Sequence, residues 1–133
     1  MYYIKLVMKN IIFKLLEYIY YFSLVILFVL YLFPGSLIGY FLYGNLGQQP
    51  NLIPNPIGTS INHFIYFSYI TILATAIKTR VNNIFTDYKI IIFVAFILEI
   101  LHFIVPNRAF EYYDLLANMF GVIIVLLLKK IIK

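Results

Sequence analysis

The segment EILHFIVPNRAFEYYDLLANMFG, residues 99–121, places several polar side chains in an otherwise apolar part of the chain. The polar side chains that concern us are Glu99, His102, Arg108, Asp114 and Asn118. Only 11% of the 133 residues are charged, so this group stands out from its surroundings. Pro106 and Asn107 lie near its centre. Proline disfavours helix at the preceding residue and asparagine suits turns, so the segment predicts a helical hairpin that reverses here.

The rest of the chain has the composition of a membrane protein. Hydrophobic residues make up 64% of it, and four apolar runs predict transmembrane helices over residues 15–33, 61–77, 90–105 and 112–128. In lipid each backbone amide must be bonded within its own segment, which favours helices over strands. A soluble helical bundle would need charged faces, which these runs lack. The sequence therefore predicts an all-α fold, a single-domain bundle of four transmembrane helices in contact with the lipid bilayer.

The basic residues predict the orientation of this bundle. Nine of the ten lysines and arginines lie before the first helix, between the second and third, or near the C-terminus, and Arg108 lies on the opposite side. By the positive-inside rule both termini are expected in the cytoplasm of a multi-pass cell-membrane protein. The long connection between helices 1 and 2, residues 34–60, has no charge and is expected outside. Its apolar part, Leu37–Tyr43, is expected to lie in the interface or to re-enter the bundle. Because the basic residues flank spans, no nucleic-acid partner is predicted.

Helical spacing aligns the polar residues of the hairpin on two facing surfaces. One surface carries Ala95, Glu99 and His102, and the other carries Asp114, Asn118 and Gly121. An antiparallel arrangement about the turn pairs them level by level: His102 with Asp114, Glu99 with Asn118, and Ala95 with Gly121. The small pair at depth would allow close helix packing.

Two further residues complete the predicted site. Arg108 is expected to reach back to Asp114 or Glu99, and His63 begins the second helix at the same end of the bundle. Charged groups within a membrane are unfavourable by about 2.5–3.5 kcal/mol each on insertion scales, so they usually face partners or a wet cavity. The residues therefore predict one polar site that opens to the outside.

Three roles remain open for such a site: hydrogen bonds that only hold the hairpin together, a ligand site, or acid–base catalysis by a carboxylate beside a histidine. Ser60 and Ser68 have no special spacing to His102, so no nucleophile is predicted. Glu99-x-x-His102 matches half of a carboxylate-bridged di-metal motif, but the second copy and the two further glutamates are absent. No metal and no cofactor are therefore predicted. The absence of cysteine excludes thiolate chemistry.

The hairpin resembles the VanZ-like family of small integral membrane proteins. The family pattern is an acidic residue in an apolar helix, a nearby polar residue, an arginine, and then Asp-Leu-Leu-x-Asn-x-x-Gly. Here Glu99, His102, Arg108 and the stretch 114–121, DLLANMFG, supply it, with His102 in place of the usual glutamine. Upstream, NHFIYF at 62–67 resembles the helix-opening segment of the family. The stretch NLIPNP also resembles a family segment.

This resemblance implies a membrane protein of the cell envelope, of a family associated with resistance to glycopeptide antibiotics such as teicoplanin. The leading hypothesis is that the polar site binds a lipid-linked envelope precursor or a glycopeptide-like ligand. One alternative is an intramembrane enzyme that acts on a lipid-linked substrate through Glu99, His102 and Asp114. Another alternative is a scaffold that binds a second membrane protein.

Overall fold

The computed structural model describes residues 2–50, 58, 60–81 and 83–132. Within these ranges all regular structure is helical, which confirms the all-α prediction. The elements are α1 (Tyr2–Leu32), α2 (Leu37–Tyr43), α3 (Ser60–Ile77), a short 3-10 turn (Ile84–Thr86), α4 (Tyr88–Leu101) and α5 (Tyr112–Ile132).

Three helices are long and apolar enough to cross a membrane: Val7–Leu32 within α1, and the whole of α3 and α5. Large apolar side chains also point away from the protein, such as Phe22, Phe103 and Phe120, which are 67%, 70% and 60% exposed. Exposed apolar surface on this scale is unfavourable in water and favourable in lipid. These features indicate a membrane protein whose apolar helix faces contact the bilayer.

The predicted spans coincide with these three helices, and each observed helix extends beyond its predicted span at one end. α3 covers 60–77 against a predicted 61–77, and α5 begins at Tyr112 as predicted but continues to Ile132. α1 begins at Tyr2, well before the predicted residue 15, because no glycine or proline precedes Pro34 and nothing interrupts the helix. It ends at Leu32, just before Pro34 and Gly35.

The third predicted span, 90–105, differs from the structure. α4 has 14 residues, from Tyr88 to Leu101, which is about 21 Å of helix and less than a hydrocarbon core of about 30 Å. Asp87 caps its start by accepting a hydrogen bond from the Lys89 amide at 2.9 Å. The α-helix ends four residues earlier than predicted because Phe103 and Ile104 donate to carbonyls three residues back, in tighter turns. Pro106 has no N–H with which to extend the α-helical bonding.

The predicted reversal at Pro106 and Asn107 is confirmed. Asn107 has a φ of 58°, in the left-handed region, and asparagine is one of the few non-glycine residues that adopt it readily. The amide of Arg108 donates to the Val105 carbonyl at 3.2 Å and closes the turn. The connection 102–111 is therefore irregular, and the helical registers of α4 and α5 do not continue through it.

α3 lies at the centre of the bundle, and α5 packs most closely against it. A Cβ atom added at Gly121 would lie 2.6 Å from the Phe64 carbonyl oxygen and 3.0 Å from the Ser68 nitrogen. The predicted pairing of Gly121 with Ala95 is therefore wrong, because Gly121 faces α3 and not α4. The buried apolar side chains of the core come from α1, α3, α4 and α5, and include Leu27, Phe67, Ile70, Leu98 and Val122.

The connection after α1 begins with the short helix α2. Ser36 caps it by accepting a hydrogen bond from the Gly39 amide at 2.9 Å, and Gly44 ends it with a φ of 68°. Phe41 and Leu42 are 81% and 61% exposed, so interfacial or re-entrant placement of this segment stays a prediction. The NLIPNP stretch, 51–56, lies outside the described residues.

Candidate functional site

Buried polar side chains from four helices meet at one end of the bundle. We call them the polar cluster: Tyr31 on α1, Ser60 and His63 on α3, Glu99 and His102 at the end of α4, and Asp114 and Asn118 on α5. Their residue exposures range from 0% for Glu99 and Asn118 to 9% for His63. The structure thus brings together five of the six predicted site residues, and only Arg108 bonds elsewhere.

His63 lies at the centre of the cluster. Its Nε2 is 3.4 Å from Asp114 Oδ2, and its Nδ1 is 2.8 Å from the Tyr31 hydroxyl. The same hydroxyl donates to Asn118 Oδ1 at 2.8 Å. A hydroxyl has one proton to donate, so the Tyr31 oxygen accepts from His63 Nδ1–H. In neutral His63 the Nε2 lone pair therefore faces the carboxylate of Asp114.

Glu99 has one engaged and one free oxygen. Oε1 lies 3.2 Å from His102 Nδ1 and accepts a hydrogen bond from the Glu111 amide, also at 3.2 Å. Oε2 is buried, has no hydrogen-bond partner among the described residues and lies 3.9 Å from His63 Nδ1. Buried carboxylate oxygens are normally bonded, because leaving one without a partner costs about 1–3 kcal/mol or more. This free oxygen is the feature of the cluster that a purely structural role explains least.

His102 is held in place by two neighbours. Its ring stacks on Tyr31 with a centroid distance of 5.5 Å and an interplanar angle of 18°. The Nδ1 of His102 is hydrogen-bonded to Glu99, and the Nε2 of His102 is buried without a partner among the described residues. The ring is therefore oriented on one edge and free on the other.

The polar pairs predicted between α4 and α5 are not formed. Asp114 bonds to α3, where Ser60 Oγ donates to its Oδ1 at 2.5 Å and His63 approaches its Oδ2. Asn118 Nδ2 donates to the Ala95 carbonyl at 3.4 Å, so it lies nearer Ala95 than the prediction placed it. The irregular connection 102–111 turns the polar face of α5 toward α3, and counting residues about Arg108 cannot reveal that rotation.

Arg108 bonds to α1 and forms no ion pair with Glu99 or Asp114. Its guanidinium donates to the Leu30 carbonyl at 2.6 Å and to the Phe33 carbonyl at 3.4 Å. The last carbonyls of a helix have no partner within it, and they favour a positive charge. The prediction that Arg108 reaches Asp114 or Glu99 is therefore wrong, because the end of α1 offers it unpaired acceptors.

The cluster contains two buried carboxyl groups, those of Glu99 and Asp114. Among the described residues, the basic groups within 4 Å of Glu99 and Asp114 are the two histidines. Burial, and then the negative charges of Asp114 and Glu99, raise the pKa of Glu111 at the start of α5. In the part of the chain that the structure describes, a positive charge in direct contact with these carboxylates can therefore come only from a histidine, or from a bound cation.

A cavity of ≈ 100 Å³ lies beside the cluster. Its lining includes Tyr31, His63, His102, Arg108 and Gln49, together with apolar residues of α1 and α2. A cavity of this size holds several water molecules or a small polar group. The arrangement can therefore bind a polar group or exchange a proton with it through the histidines.

Three ligand-type side chains lie close enough for a cation. His63, Glu99 and Asp114 each offer an atom within 4.8 Å of the other two. No sequence motif indicates this set, because its members come from three separate helices.

Two members of the cluster were not predicted. Tyr31 is one of 13 tyrosines and no spacing singles it out. The spacing of Ser60 to His102 does not indicate a shared site. Ser60 lies three residues before His63, however, and this spacing places both side chains on one face of α3. That spacing was the available signal.

No family model matches this chain, and comparisons with curated proteins and with solved structures find no match.

Proposed function

We propose that this chain is a VanZ-like membrane protein of the cell envelope, whose polar cluster binds a lipid-linked envelope precursor or a glycopeptide of the teicoplanin type. The observation that carries the proposal is the cavity lined by Tyr31, His63 and His102, two of which contact Glu99. A scaffold hairpin would need no cavity and would leave no buried polar atom without a partner. At ≈ 100 Å³ the cavity suits a polar group of either ligand and not a whole drug-sized molecule, which needs about 300–1,000 Å³.

A proposed topology accompanies this function. The bundle crosses the bilayer four times, α4 and the tight turns through Val105 forming the third crossing, with both termini in the cytoplasm and the cluster near the outer surface. The proposal is supported by the distribution of basic residues and by the uncharged segment around Gln49, which lines the cavity. An outward-opening cavity is accessible to envelope precursors and to drugs.

The topology predicts which positions a membrane-impermeant thiol reagent labels. The chain has no cysteine, so each introduced one is unique. We expect Asn45→Cys to be labelled in intact cells, and Thr79→Cys and Lys130→Cys only after permeabilisation, since all three positions are exposed. Labelling of Thr79→Cys and Lys130→Cys, but not of Asn45→Cys, in intact cells would reverse the orientation and place the cavity on the cytoplasmic side.

The function is tested with Glu99→Gln, which keeps the shape of the side chain and removes its charge. In a strain that lacks the chain, the wild type is expected to restore teicoplanin tolerance or envelope integrity. Glu99→Gln is expected to lose at least about 90% of that effect at equal membrane abundance, since ligand-site charges are seldom replaceable. The matched control is Glu17→Gln, about 21 Å along α1 from Tyr31. Full complementation by Glu99→Gln, or a deletion without any phenotype, would contradict the proposal.

Arg108→Gln tests the same site less specifically, because it affects the end of α1 as well as the cavity. The guanidinium bonds the last carbonyls of α1, so its loss is expected to loosen the end of that helix as well as to change the cavity.

A second candidate function is an intramembrane enzyme that acts on a lipid-linked substrate through Glu99, His102 and Asp114. One observation favours it: Glu99 orients His102 through Nδ1, while Nε2 is free and the ring lines the cavity. A carboxylate-oriented imidazole with one free nitrogen is the arrangement of a general base. Turnover of a lipid-linked precursor by purified protein, abolished in His102→Gln, would favour this function over binding.

A further inference from the structure

Among the described residues, histidines are the only basic groups within 4 Å of the two buried carboxylates of the polar cluster. Glu99 is 0% and Asp114 4% exposed, and the nearest arginine, Arg108, bonds to carbonyls of α1. Two ionised carboxylates close together in a low-dielectric environment are strongly unfavourable unless a positive charge lies between or beside them.

The hydrogen bond between His63 Nδ1 and Tyr31 leaves the Nε2 of His63 available to bind a cation. Tyr31 engages the Nδ1–H, and so the bare Nε2 faces Asp114 Oδ2 at 3.4 Å. That separation is longer than the about 2.7–2.9 Å of a charge-assisted hydrogen bond. It equals the edge of a zinc tetrahedron, since two ligand atoms about 2.0–2.1 Å from Zn²⁺ lie about 3.3 Å apart.

Two hydrogen bonds resemble those that usually orient metal-binding side chains. Metal-binding histidines donate their other N–H to a fixed acceptor, and ligating carboxylates accept hydrogen bonds on the oxygen turned away from the metal. Here Tyr31 accepts from His63, and Ser60 donates to Asp114 Oδ1 at 2.5 Å.

The free oxygen of Glu99 provides the second, independent observation. Oε2 is buried without a hydrogen-bond partner and points toward His63, at 3.9 Å from its Nδ1. One ligand atom each of His63, Glu99 and Asp114 lies within 4.8 Å of the other two.

We propose that His63, Glu99 and Asp114 form a binding site for one divalent transition-metal ion of the Zn²⁺ type. One imidazole and two carboxylates suit Zn²⁺, whereas Mg²⁺ and Ca²⁺ prefer oxygen ligands alone. Because His63 also lines the neighbouring cavity, water or an incoming polar group could approach the ion from that side. The site differs from the Glu99-x-x-His102 motif noted in the sequence, because its histidine is His63 on α3. It goes beyond the proposed function, since binding of an ion needs no envelope substrate.

The test uses the full chain in lipid nanodiscs, without a polyhistidine tag and stripped with a chelator. After equilibrium dialysis against ZnCl₂ we expect one zinc ion per chain by mass spectrometry, and no retention of Mg²⁺. Asp114→Asn and Glu99→Gln keep side-chain shape and are expected to weaken zinc binding by more than about 100-fold, beyond the effect of losing an outer partner. Asp87→Asn, which preserves the cap of α4, removes a carboxylate outside the cluster and should bind zinc as the wild type does.

A second measurement on the wild type does not depend on the folding of any variant. The chain has two histidines, so ¹⁵N-histidine labelling yields two imidazoles, distinguished by the His102→Asn variant. Zinc is expected to shift the Nε2 resonance of His63.

No retained zinc in the wild type, equal affinity in Asp114→Asn and Glu99→Gln, or a shift confined to His102 would overturn the proposal. These outcomes are independent of the complementation experiment: zinc binding without a Glu99→Gln phenotype would contradict the proposed function alone.

Discussion

Replacing Gly121 with leucine is expected to lower the thermal unfolding midpoint of the purified protein by about 10 °C, through a loss of about 3 kcal/mol at the contact between α3 and α5. The absent Cβ of Gly121 would already lie 2.6 Å from the Phe64 carbonyl oxygen, which belongs to helical backbone and cannot move alone. A leucine side chain therefore forces α5 away from α3 and disturbs the packing of Phe67 and Val122, both 0% exposed. Circular dichroism in detergent micelles provides the measurement.

The matched control for this substitution is Ala76→Leu. It also enlarges a small helical residue, but at an exposed position of α3, where we expect a change within about 0.5 kcal/mol. Unfolding of Gly121→Leu at the wild-type temperature would mean that α5 does not approach α3 at this point, and that the packing described above is incorrect.

Replacing Asn118 with leucine is expected to destabilise the protein by about 2 kcal/mol, because it removes bonds that join three helices. Asn118 is 0% exposed, accepts from the Tyr31 hydroxyl on α1 and donates to the Ala95 carbonyl on α4. Leucine has a similar volume, so packing changes little. The main cost is the loss of hydrogen-bond partners for buried polar groups. The thermal midpoint in micelles checks the magnitude.

A double-mutant cycle tests the cause of that loss. If the Tyr31 hydroxyl depends on Asn118, then Tyr31→Phe should cost less in the Asn118→Leu background than in the wild type, with a coupling energy of at least about 0.5 kcal/mol. Met119→Leu, at the neighbouring and partly buried position, is a control that should change stability by less than about 1.5 kcal/mol. Strict additivity of the two changes would show that the Tyr31–Asn118 bond contributes nothing.

The local features of the chain could be predicted from the sequence because their causes are local. Uninterrupted apolar runs produced α3 and α5 close to the predicted bounds, and Pro34 with Gly35 ended α1 where expected. Pro106 and Asn107 formed the hairpin turn, since proline lacks an N–H and asparagine accepts a positive φ. The gathering of His63, Glu99, His102, Asp114 and Asn118 was also predictable, because polar side chains in apolar helices are stabilised by one another.

Only the tertiary structure decided which of these polar groups contact each other. The irregular connection 102–111 turns the polar face of α5 toward α3, so Asp114 contacts Ser60 and His63 and does not pair with His102. The guanidinium of Arg108 donates to a carbonyl at the end of α1 that has no partner within the helix, and it does not contact the carboxylates. Tyr31 belongs to the cluster although its helix, α1, carries no polar motif and it lies 32 residues from His63 in sequence. Periodicity along a helix determines which residues share a face, whereas the rotation of one helix against another depends on packing across the whole bundle.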